Sequence, residues 1–290
     1  MSIALIGADG QLGMDLQKAL SAHRVAALTY SELDILDRPR VAEKLAAIGP
    51  AWVINAAAFT NVDWCESNDV KAFQVNALGV RHIAESSPPR DSRLIQISTD
   101  YVFDGRKTEP YTEQDVPAPL NVYGITKLAG EHYALSLHPK CYVLRTSGLY
   151  GTHACWGKRR NFVDTMLALA EEKDEIRVVW DEVLTPTFTE DLAEQIRVLI
   201  ESEPAPGIYH ATNDGECSWY DFARTIFELS GKTVRLEKTT AAEWKAPARR
   251  PAYSVLENAG LEREAIDVMP HWKDALARYL SKKTGITRGA

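Results

Sequence analysis

The sequence has few cysteines, no long apolar run and no secretory signal, and each absence excludes a class of protein. The four cysteines among 290 residues lie far apart, without the short spacings of metal ligands, so we expect free thiols in a reducing compartment and no metal site. They are Cys65, Cys141, Cys155 and Cys217. No apolar stretch reaches the ~18 residues of a membrane span, and the N-terminus shows neither a basic segment nor a cleavage site. We therefore expect a cytoplasmic protein that does not enter membranes.

The charge balance argues against nucleic acid as a partner. The formal net charge is −7, whereas binding to a phosphate backbone requires an excess of basic residues. Hydrophobic residues make up 45% of the chain and charged residues 25%, which is typical of a soluble globular protein. The chain shows no internal repeat and no flexible linker. It is long enough for one large domain or for two unequal lobes.

The first half of the chain alternates short β-branched runs with stretches of helical periodicity. The runs predict strands at residues 3–7, 25–29, 52–58, 93–99 and 141–147. Strands that alternate with helices favour a parallel sheet. We expect an α/β fold with a doubly wound, Rossmann-type sheet over residues 1–150, to which a strand and a helix within 176–202 return. Residues 151–175 and 203–290 are less regular and are expected to form a smaller α/β substrate-binding lobe.

The segment "GADGQLG" places three glycines directly after the first predicted strand and at the start of a helix. Such a turn needs a residue that tolerates positive φ, and a pyrophosphate needs close backbone approach to N–H groups at a helix N-terminus. The alternative is a glycine-rich turn that binds nothing. The position at the first strand–helix junction favours a dinucleotide site. Its predicted residues are Gly7, Gly10, Gln11, Leu12 and Gly13.

The sequence leaves the choice between NADH and NADPH open. An acidic residue is expected at the end of the second strand to bind the adenine ribose, but Glu32 and Asp34 come slightly late, and no arginine there favours a 2′-phosphate. Asp34 and Ile35 are predicted beside the adenine. The small side chains of "NAAA" are predicted beside the cofactor, with simple close packing as the alternative. They include Ala56, Ala57 and Ala58.

Tyr123 and Lys127 are separated by one helical turn, so a helix beginning near Tyr123 would present both on one face. Thr99 ends the fourth predicted strand, at the carboxyl edge of the sheet where ligands bind. The same spacing recurs at Tyr279 and Lys283, in the last predicted helix and far from any strand end. We interpret that second pair as a packed tyrosine and a solvated lysine.

Eight segments occur in an order that resembles a known family. They are "GADGQLG", "VINAAAFTNVD", "ISTDYVFDG", "PLNVYGITKLAGE", "NFVDTML", "TPTFTEDLA", "CSWYDFA" and "RPAYSVLEN". Together they resemble the extended short-chain dehydrogenase/reductase family, and within it the dTDP-4-dehydrorhamnose reductase family. The resemblance covers nearly the whole chain. It implies an NAD(P)H-dependent oxidoreductase that reduces the C4 keto group of a nucleotide-linked 4-keto-6-deoxysugar, most closely dTDP-4-dehydro-L-rhamnose, for cell-surface polysaccharide.

The resemblance also implies roles for the predicted site. Tyr123 would donate a proton to the forming alkoxide, Thr99 would hydrogen-bond the same oxygen, and Lys127 would hold the nicotinamide ribose. A positive charge ~4 Å from a phenol contributes about 4 kcal/mol at an effective dielectric constant of ~20. This equals roughly three pKa units, so we expect Lys127 to lower the pKa of Tyr123 towards neutrality. Ser98 joins the residues expected to bind the cofactor.

The family's nucleotide-sugar contacts fall on several positions of this chain. They are Thr60, Thr99, Asp100, Phe103, Tyr123, Asn161 and Arg250. An arginine suits a diphosphate because its planar fork binds two oxygens at once. The alternatives are a helix cap for Asn161 and an inter-lobe salt bridge for Arg250.

Two segments depart from the family pattern. Gly148 in "RTSGLYG" stands where the family commonly has a tryptophan near the sugar, for which Trp156 is a potential substitute. The segment "DEVLTPT", residues 181–187, lacks the glycine that many relatives have before the proline, a change expected to affect only the loop.

Two other functions stay open at this point. A related enzyme would make a different deoxysugar, such as 6-deoxytalose, or use a GDP-linked donor. A non-catalytic regulatory subunit is the other alternative, because "STDYVFDG" and "PAPLNVYGITKL" are also similar to the β subunit of methionine adenosyltransferase. Relatives often form homodimers, but the sequence identifies no interface.

Overall fold

A six-stranded parallel sheet forms the centre of the computed structural model, which describes residues 1–88, 92–153 and 160–284. Its strands are Ser2–Ile6 (β1), Arg24–Leu28 (β2), Trp52–Asn55 (β3), Arg93–Thr99 (β4), Cys141–Thr146 (β5) and Gly207–His210 (β10). They lie in the order β2-β1-β3-β4-β5-β10, so the direction of winding reverses between β1 and β3. Ligands of such sheets bind at this reversal, outside the carboxyl ends of the strands. The predicted doubly wound sheet is confirmed.

Helices cover both faces because successive residues of a buried strand point to opposite sides. Ile3 and Leu5 pack against one layer of helices, and Ala4 and Ile6 pack against the other. The first layer contains Gln11–Ala19 (α1) and Thr189–Ser202 (α8). The second contains Arg38–Ile48 (α2), Val62–Ser67 (α3), Asp69–Phe73 (α4), Val80–Ser86 (α5) and Val122–Leu137 (α6). A π-helical turn, Gln74–Gly79, joins α4 to α5, and a 3-10 turn, Asp100–Val102, follows β4.

A second lobe lies over the carboxyl edge of the sheet and has its own core, which includes Tyr150, Phe222 and Tyr279. Its strands are Leu149–Tyr150 (β6), Glu175–Val179 (β7), Val183–Leu184 (β8), Thr187–Phe188 (β9), Cys217–Ser218 (β11) and Arg235–Thr239 (β12). Its helices are Phe162–Glu172 (α7), Trp219–Ser230 (α9), Ala241–Trp244 (α10) and Trp272–Thr284 (α12), whereas Ala259–Arg263 (α11) packs on the central sheet. Across the described ranges, no helix is both long enough and apolar enough to cross a membrane.

Two strand assignments are wrong. The strand expected to return to the central sheet from within 176–202 is β7, which pairs in parallel with β12 in the second lobe. The place beside β5 is taken by β10, which was expected in the smaller lobe. Along β7 exposed and buried side chains alternate, which is typical of a sheet with one covered face rather than of a doubly covered parallel sheet. Helix α8, from the same segment, does pack against α1 on the central sheet.

Candidate active site

The glycine loop between β1 and α1 meets the requirements of an anion site. Gly7 has φ +78°, and a Cβ atom there would lie 2.7 Å from the amide nitrogen of Ala57. A Cβ atom at Gly13 would collide with the carbonyl oxygen of Gly7. In the described part of the chain no side chain caps α1 at Gly10, and the first turn carries no acidic residue. The N–H groups and the positive end of the helix dipole are therefore available to a pyrophosphate.

Gln11 and Leu12 lie in the first turn of α1 and are mostly buried. The Gln11 side chain donates a hydrogen bond to the carbonyl oxygen of His153 at 3.0 Å. Backbone N–H groups at a helix start have no partner within the helix. These two residues therefore fit a dinucleotide through their backbone rather than through their side chains.

The acidic side chains that follow β2 accept hydrogen bonds from their own turn. Glu32 accepts hydrogen bonds from the backbone N–H of Thr29 at 2.9 Å and from its hydroxyl at 2.8 Å. These bonds lower the pKa of Glu32. Asp34 accepts a hydrogen bond from the backbone N–H of Leu36 at 2.9 Å. Ile35 is only 4% exposed and packs in the core, so its side chain has almost no surface to offer an adenine.

The alanines after β3 lie against the glycine loop. The strand ends at Asn55, which is fully buried and donates to Gln96 at 2.8 Å while accepting from the backbone N–H of Ala57 at 3.1 Å. Ala56 donates to the carbonyl oxygen of Ile6 at 3.0 Å. Gly7 packs directly against the backbone of Ala56 and Ala57. Contact of these alanines and of Ala58 with a cofactor stays a prediction.

Thr99 and Tyr123 come together at the carboxyl edge of the sheet. Thr99 is the last residue of β4, and Tyr123 stands in the first turn of α6. Asn121 caps that helix by accepting a hydrogen bond from the Gly124 N–H at 2.8 Å. A Cβ atom at Gly124 would collide with the carbonyl oxygen of Tyr101, so glycine is what allows α6 to start so close to β4.

The electrostatics of Tyr123 differ from the expectation. Burial raises its pKa above the ordinary value, the Thr99 hydroxyl acts in the opposite direction, and the charge of Asp100 raises the pKa further. Lys127 is 4% exposed and donates to the carbonyl oxygen of Ile97 at 2.6 Å. The predicted lowering of the Tyr123 pKa by Lys127 is therefore wrong, because burial of the phenol outweighs other effects. Burial also lowers the pKa of Lys127 itself to about 8, against the charge of Glu131.

A buried ion pair lies one helical turn beyond Lys127. Glu131 and Arg145 each have 2% of their side-chain surface exposed, and their closest nitrogen–oxygen distance is 2.7 Å. Ser98, predicted to bind the cofactor, donates its hydroxyl proton to Glu131. The sequence signal for Glu131 was its i+4 spacing from Lys127, but its partner Arg145 is on β5 and could not be identified from local pattern.

Asn76 is a second residue that local patterns missed. It lies in the π-helical turn, is 1% exposed and donates to the carbonyl oxygen of Phe59 at 3.0 Å and to the Thr126 hydroxyl at 3.1 Å. It also accepts from the backbone N–H of Phe59 at 2.8 Å. Asn76 thus ties the loop after the alanines to the helix that carries Tyr123. π-Helical turns frequently occur at functional sites.

Asp100 is buried at the end of β4. It is 3% exposed, and its carboxylate accepts hydrogen bonds from Thr99 at 3.0 Å, Ser147 at 2.9 Å and Ser254 at 2.6 Å. Burial raises its pKa to about 6, and the three hydroxyls oppose the shift. Asp100 thus joins the end of β4 to the second lobe, and its predicted contact with the sugar stays a prediction.

Phe103 and Asn161 were also predicted to contact the sugar, and the structure places both in the interior. Phe103 is fully buried and stacks on Tyr111 with ring centroids 4.2 Å apart. Asn161 caps α7 through its oxygen, and its nitrogen donates to Gly151 at 2.9 Å and to Tyr279 at 3.2 Å. The helix cap weighed for Asn161 is what the structure shows.

Arg250 bridges the two lobes. Its guanidinium contacts both carboxylate oxygens of Asp63 on α3 at 3.0 Å. This is the salt bridge considered as the alternative to a diphosphate contact. Thr60 is exposed in the loop between β3 and α3. The substrate contacts predicted for Thr60 and Arg250 stay predictions, whereas Cys155 and Trp156 lie outside the described residues.

The second tyrosine–lysine pair behaves as interpreted. Tyr279 is fully buried, and its hydroxyl donates to Asp164 at 2.7 Å. Lys283 forms a salt bridge with the same carboxylate at 3.1 Å and keeps a third of its side chain exposed. Both residues stabilise α12 against α7.

The chain is similar to known proteins over nearly its whole length. The sequence model of the family described as "RmlD substrate binding domain" matches residues 1–284. The spore coat polysaccharide biosynthesis protein SpsK of Bacillus subtilis is 40% identical over 97% of this chain and 98% of its own length. A dTDP-4-dehydrorhamnose reductase structure from Clostridium acetobutylicum is 42% identical with TM-score 0.93, covering 98% of this chain and 99% of that one. One from Bacillus anthracis, in complex with NADP, is 37% identical with TM-score 0.92, covering 97% and 99%.

Proposed function

Since the chain belongs to the RmlD substrate binding domain family, we propose that it reduces the C4 keto group of dTDP-4-dehydro-L-rhamnose to give dTDP-L-rhamnose, with NADPH as reductant. One observation carries the proposal. The phenol of Tyr123 stands beside Thr99 at the carboxyl edge of the sheet, and the glycine loop after β1 opens at the same edge. This arrangement brings a proton donor and a dinucleotide site to one cleft.

In this proposal NADPH, when bound, supplies a hydride to the keto carbon. Tyr123 supplies the proton: burial raises its pKa, so the phenol stays protonated at neutral pH and can protonate an alkoxide, which is a stronger base. Thr99 orients the phenol. Lys127 holds the nicotinamide ribose, and the residues that would hold the phosphates are the backbone N–H groups at the start of α1.

The preference for NADPH is supported by the end of β2. Glu32, the first acidic residue there, is bonded to Thr29 by two short hydrogen bonds. One oxygen of its exposed carboxylate is thus occupied within its own turn and is less available to the free 2′-hydroxyl of NADH. The Bacillus anthracis relative binds NADP. NADH stays a second cofactor to be measured.

The experiment is NADPH oxidation by the purified protein with enzymatically prepared dTDP-4-dehydro-L-rhamnose, repeated with NADH. NMR of the product distinguishes dTDP-L-rhamnose from its C4 epimer, the 6-deoxytalose sugar. Turnover to dTDP-L-rhamnose is the expected result. A folded protein that binds NADPH but reduces no keto-sugar would contradict the proposal and favour the regulatory-subunit alternative, which pull-down of a synthetase partner would then test.

We also propose the cytoplasm as the site of action and a homodimer as the assembly. The three described cysteines are buried thiols, which suits a reducing compartment.

Apolar side chains of α3 and α4 are exposed, among them Trp64, Val70 and Phe73, and such side chains favour contact with another surface. Sedimentation equilibrium of the purified protein tests the assembly, and a monomer at micromolar concentration would contradict it.

A further inference from the structure

A buried carboxylate lies beside Lys127. Glu131 is one turn further along α6, so the two side chains leave the same face of the helix, and both are buried. Both also contact neighbouring residues of β4. The Lys127 ammonium donates to the carbonyl oxygen of Ile97 at 2.6 Å, and the Ser98 hydroxyl donates to the Glu131 carboxylate. Lys127 and Glu131 are therefore held next to each other against the strand that ends at Thr99.

Arg145 fixes the Glu131 carboxylate from a second strand, β5. Its Nε donates to one carboxylate oxygen at 3.0 Å and its Nη2 donates to the other at 2.7 Å, which is the two-point geometry of a guanidinium fork. The guanidinium also lies over the ring of Phe103, with its central carbon 5.2 Å from the ring centroid. The position of the carboxylate is thus determined by Ser98 on β4 and by Arg145 on β5.

Stability alone does not account for this ion pair. Glu131 and Arg145 each have only 2% of their side-chain surface exposed, and replacing such a pair by apolar residues of similar volume is often neutral or stabilising. A buried carboxylate does, however, act strongly on a neighbouring charge, because water is excluded from the space between them. Lys127, on the same face of α6, is such a neighbour.

The charge of Glu131 favours the protonated form of Lys127. Burial lowers the pKa of Lys127 to about 8, and the charge of Glu131 opposes this shift. Two other buried titratable groups are uncharged at neutral pH, because burial raises the pKa of the Tyr123 phenol and raises that of the Cys141 thiol to about 12. Without the Glu131 carboxylate, Lys127 would therefore lose its proton at a lower pH.

Few other buried titratable groups lie on the elements that pack against α6. The π-helical turn has none, and those of α4 and α5 are exposed or half-buried. The remaining groups are Cys65 on α3, Asp100 and Tyr101 in the 3-10 turn, and Cys141 and Arg145 on β5. Among these described groups and Glu131, it is the charge of Glu131 that acts on the pKa of Lys127.

We propose that Glu131 is a positioning residue of this protein, whose carboxylate, fixed by Arg145 and Ser98, holds the Lys127 ammonium in its charged form for the cofactor. The proposal rests on the proposed function for the role of Lys127 at the nicotinamide ribose. The charge state of Lys127 is nevertheless measurable without cofactor or substrate, so Glu131 can be tested separately from the reaction.

The test is an NMR titration of Lys127 in the protein without cofactor. Labelling with ¹³C at lysine Cε gives a signal for each lysine, and the Lys127→Met variant identifies that of Lys127. We expect Glu131→Gln to move the Lys127 titration about one pH unit lower, roughly a tenfold loss of proton affinity. Glu131→Asp keeps the charge and should titrate close to wild type. Asp191→Asn is the matched control, because it removes a mostly buried carboxylate that pairs with Arg278 at 2.7 Å elsewhere in the chain.

NADPH affinity at two pH values is the second readout, measured by fluorescence titration. At pH 6 Lys127 is charged in both proteins, so Glu131→Gln should bind NADPH as wild type does. At pH 8 a larger fraction of Lys127 is neutral in the variant, and its NADPH affinity should be roughly three- to fivefold lower. An equal loss at both pH values would show that the ion pair acts only on the structure of the site, and would overturn the proposal.

The remaining outcomes separate this proposal from the proposed function. An unchanged Lys127 titration in folded Glu131→Gln overturns the role of Glu131 even if the protein is an active reductase. A lowered titration in a protein that reduces no keto-sugar supports Glu131 and contradicts the reductase. If Glu131→Gln does not fold because Arg145 has lost its partner, Glu131→Gln/Arg145→Met carries the test, since it removes both charges of the pair and should show the same lowered titration.

Discussion

Leu184 occupies the space into which a side chain at position 148 would extend: a Cβ atom at Gly148 would lie 2.8 Å from Leu184 Cδ1. The sequence shows two departures from the family pattern, the missing tryptophan at 148 and the altered 181–187 segment. The structure brings them into contact. The expectation that the second change affects only the loop is therefore wrong, because Leu184 packs beside Gly148.

This contact predicts a large cost for a side chain at position 148. Gly148 has φ +55°, and its Cβ position is also 3.2 Å from Pro186 Cα, so Gly148→Ala combines backbone strain with overpacking. We expect a loss of about 2–4 kcal/mol in the free energy of unfolding, measured by urea denaturation. Gly49→Ala is the matched control, with φ +54° and open space around it, and should cost only about 1 kcal/mol.

The double variant Gly148→Ala/Leu184→Ala separates the two contributions. Removing the Leu184 side chain should recover part of the loss, with a coupling energy of about 0.5–3 kcal/mol. Strict additivity of the two single variants would show that Leu184 does not determine what fits at position 148.

Tyr123→Phe tests the proton donor. The variant keeps the ring and loses the phenol proton, so turnover should fall roughly 10²- to 10⁴-fold while NADPH affinity and thermal stability stay close to wild type. Steady-state NADPH oxidation and NADPH titration measure both. Tyr133→Phe, on the same helix, should have wild-type activity. Comparable turnover of the Tyr123 and Tyr133 variants would show that Tyr123 is not the proton donor.

Lys127→Met should weaken NADPH binding and slow turnover together, because a buried charged hydrogen-bond donor is lost. We expect NADPH affinity to fall roughly 10- to 100-fold. The pKa of Lys127 is lowered to about 8, so NADPH affinity of the wild type should fall as pH rises through 8, and Lys127→Arg should show no such fall. Lys283→Met, in the second tyrosine–lysine pair, is the control. Near-normal turnover of Lys127→Met would contradict its role.

Asp100→Asn should change how stability depends on pH. The folded-state pKa of Asp100 is about 6 and its ordinary value is 3.8, so the folded protein holds this proton more tightly than the unfolded chain. The contribution to stability is therefore complete below pH 4 and is lost as pH rises through 6. Because asparagine does not ionise, the free energy of unfolding of Asp100→Asn relative to wild type should rise by up to about 3 kcal/mol from pH 4 to pH 8.

Asp104→Asn should change the pH dependence of stability in the opposite direction to Asp100→Asn. A backbone hydrogen bond from Arg106 lowers the pKa of Asp104, so its contribution is present at neutral pH and is lost as pH falls. Relative to wild type, the Asp104 variant should lose more stability at pH 7 than at pH 3. Parallel pH profiles for the two variants would contradict the assignment of Asp100 as a destabilised buried carboxyl.

The parts predicted correctly depend on local pattern. Runs of buried β-branched residues locate β1 to β5, three spaced glycines locate the loop after β1, and a single helical turn relates Tyr123 to Lys127. Each of these signals lies within about ten residues. The pairing of β7 and of β10 was misassigned because the sequence of a strand does not show which other strand it pairs with.

The contacts of site residues that local pattern did not show are long-range. Arg250 meets Asp63 across 187 positions, and Asp100 meets Ser254 across 154. A motif places Asp100, Phe103 and Asn161 near the cleft, but it does not show which way a side chain points. Burial decides that, and burial follows from packing of the two lobes.

Both the oxygen and the nitrogen of the Asn121 side-chain amide form hydrogen bonds. Its oxygen caps the helix of Tyr123, and its nitrogen donates to the carbonyl oxygen of Arg249 at 2.8 Å. Arg249 adjoins the residue that bridges the lobes through Asp63. A shift of the segment around Arg249 relative to the sheet would therefore displace the first turn of α6 through the side chain of Asn121. Asn121 therefore links the position of the second lobe directly to that of the helix that carries the phenol.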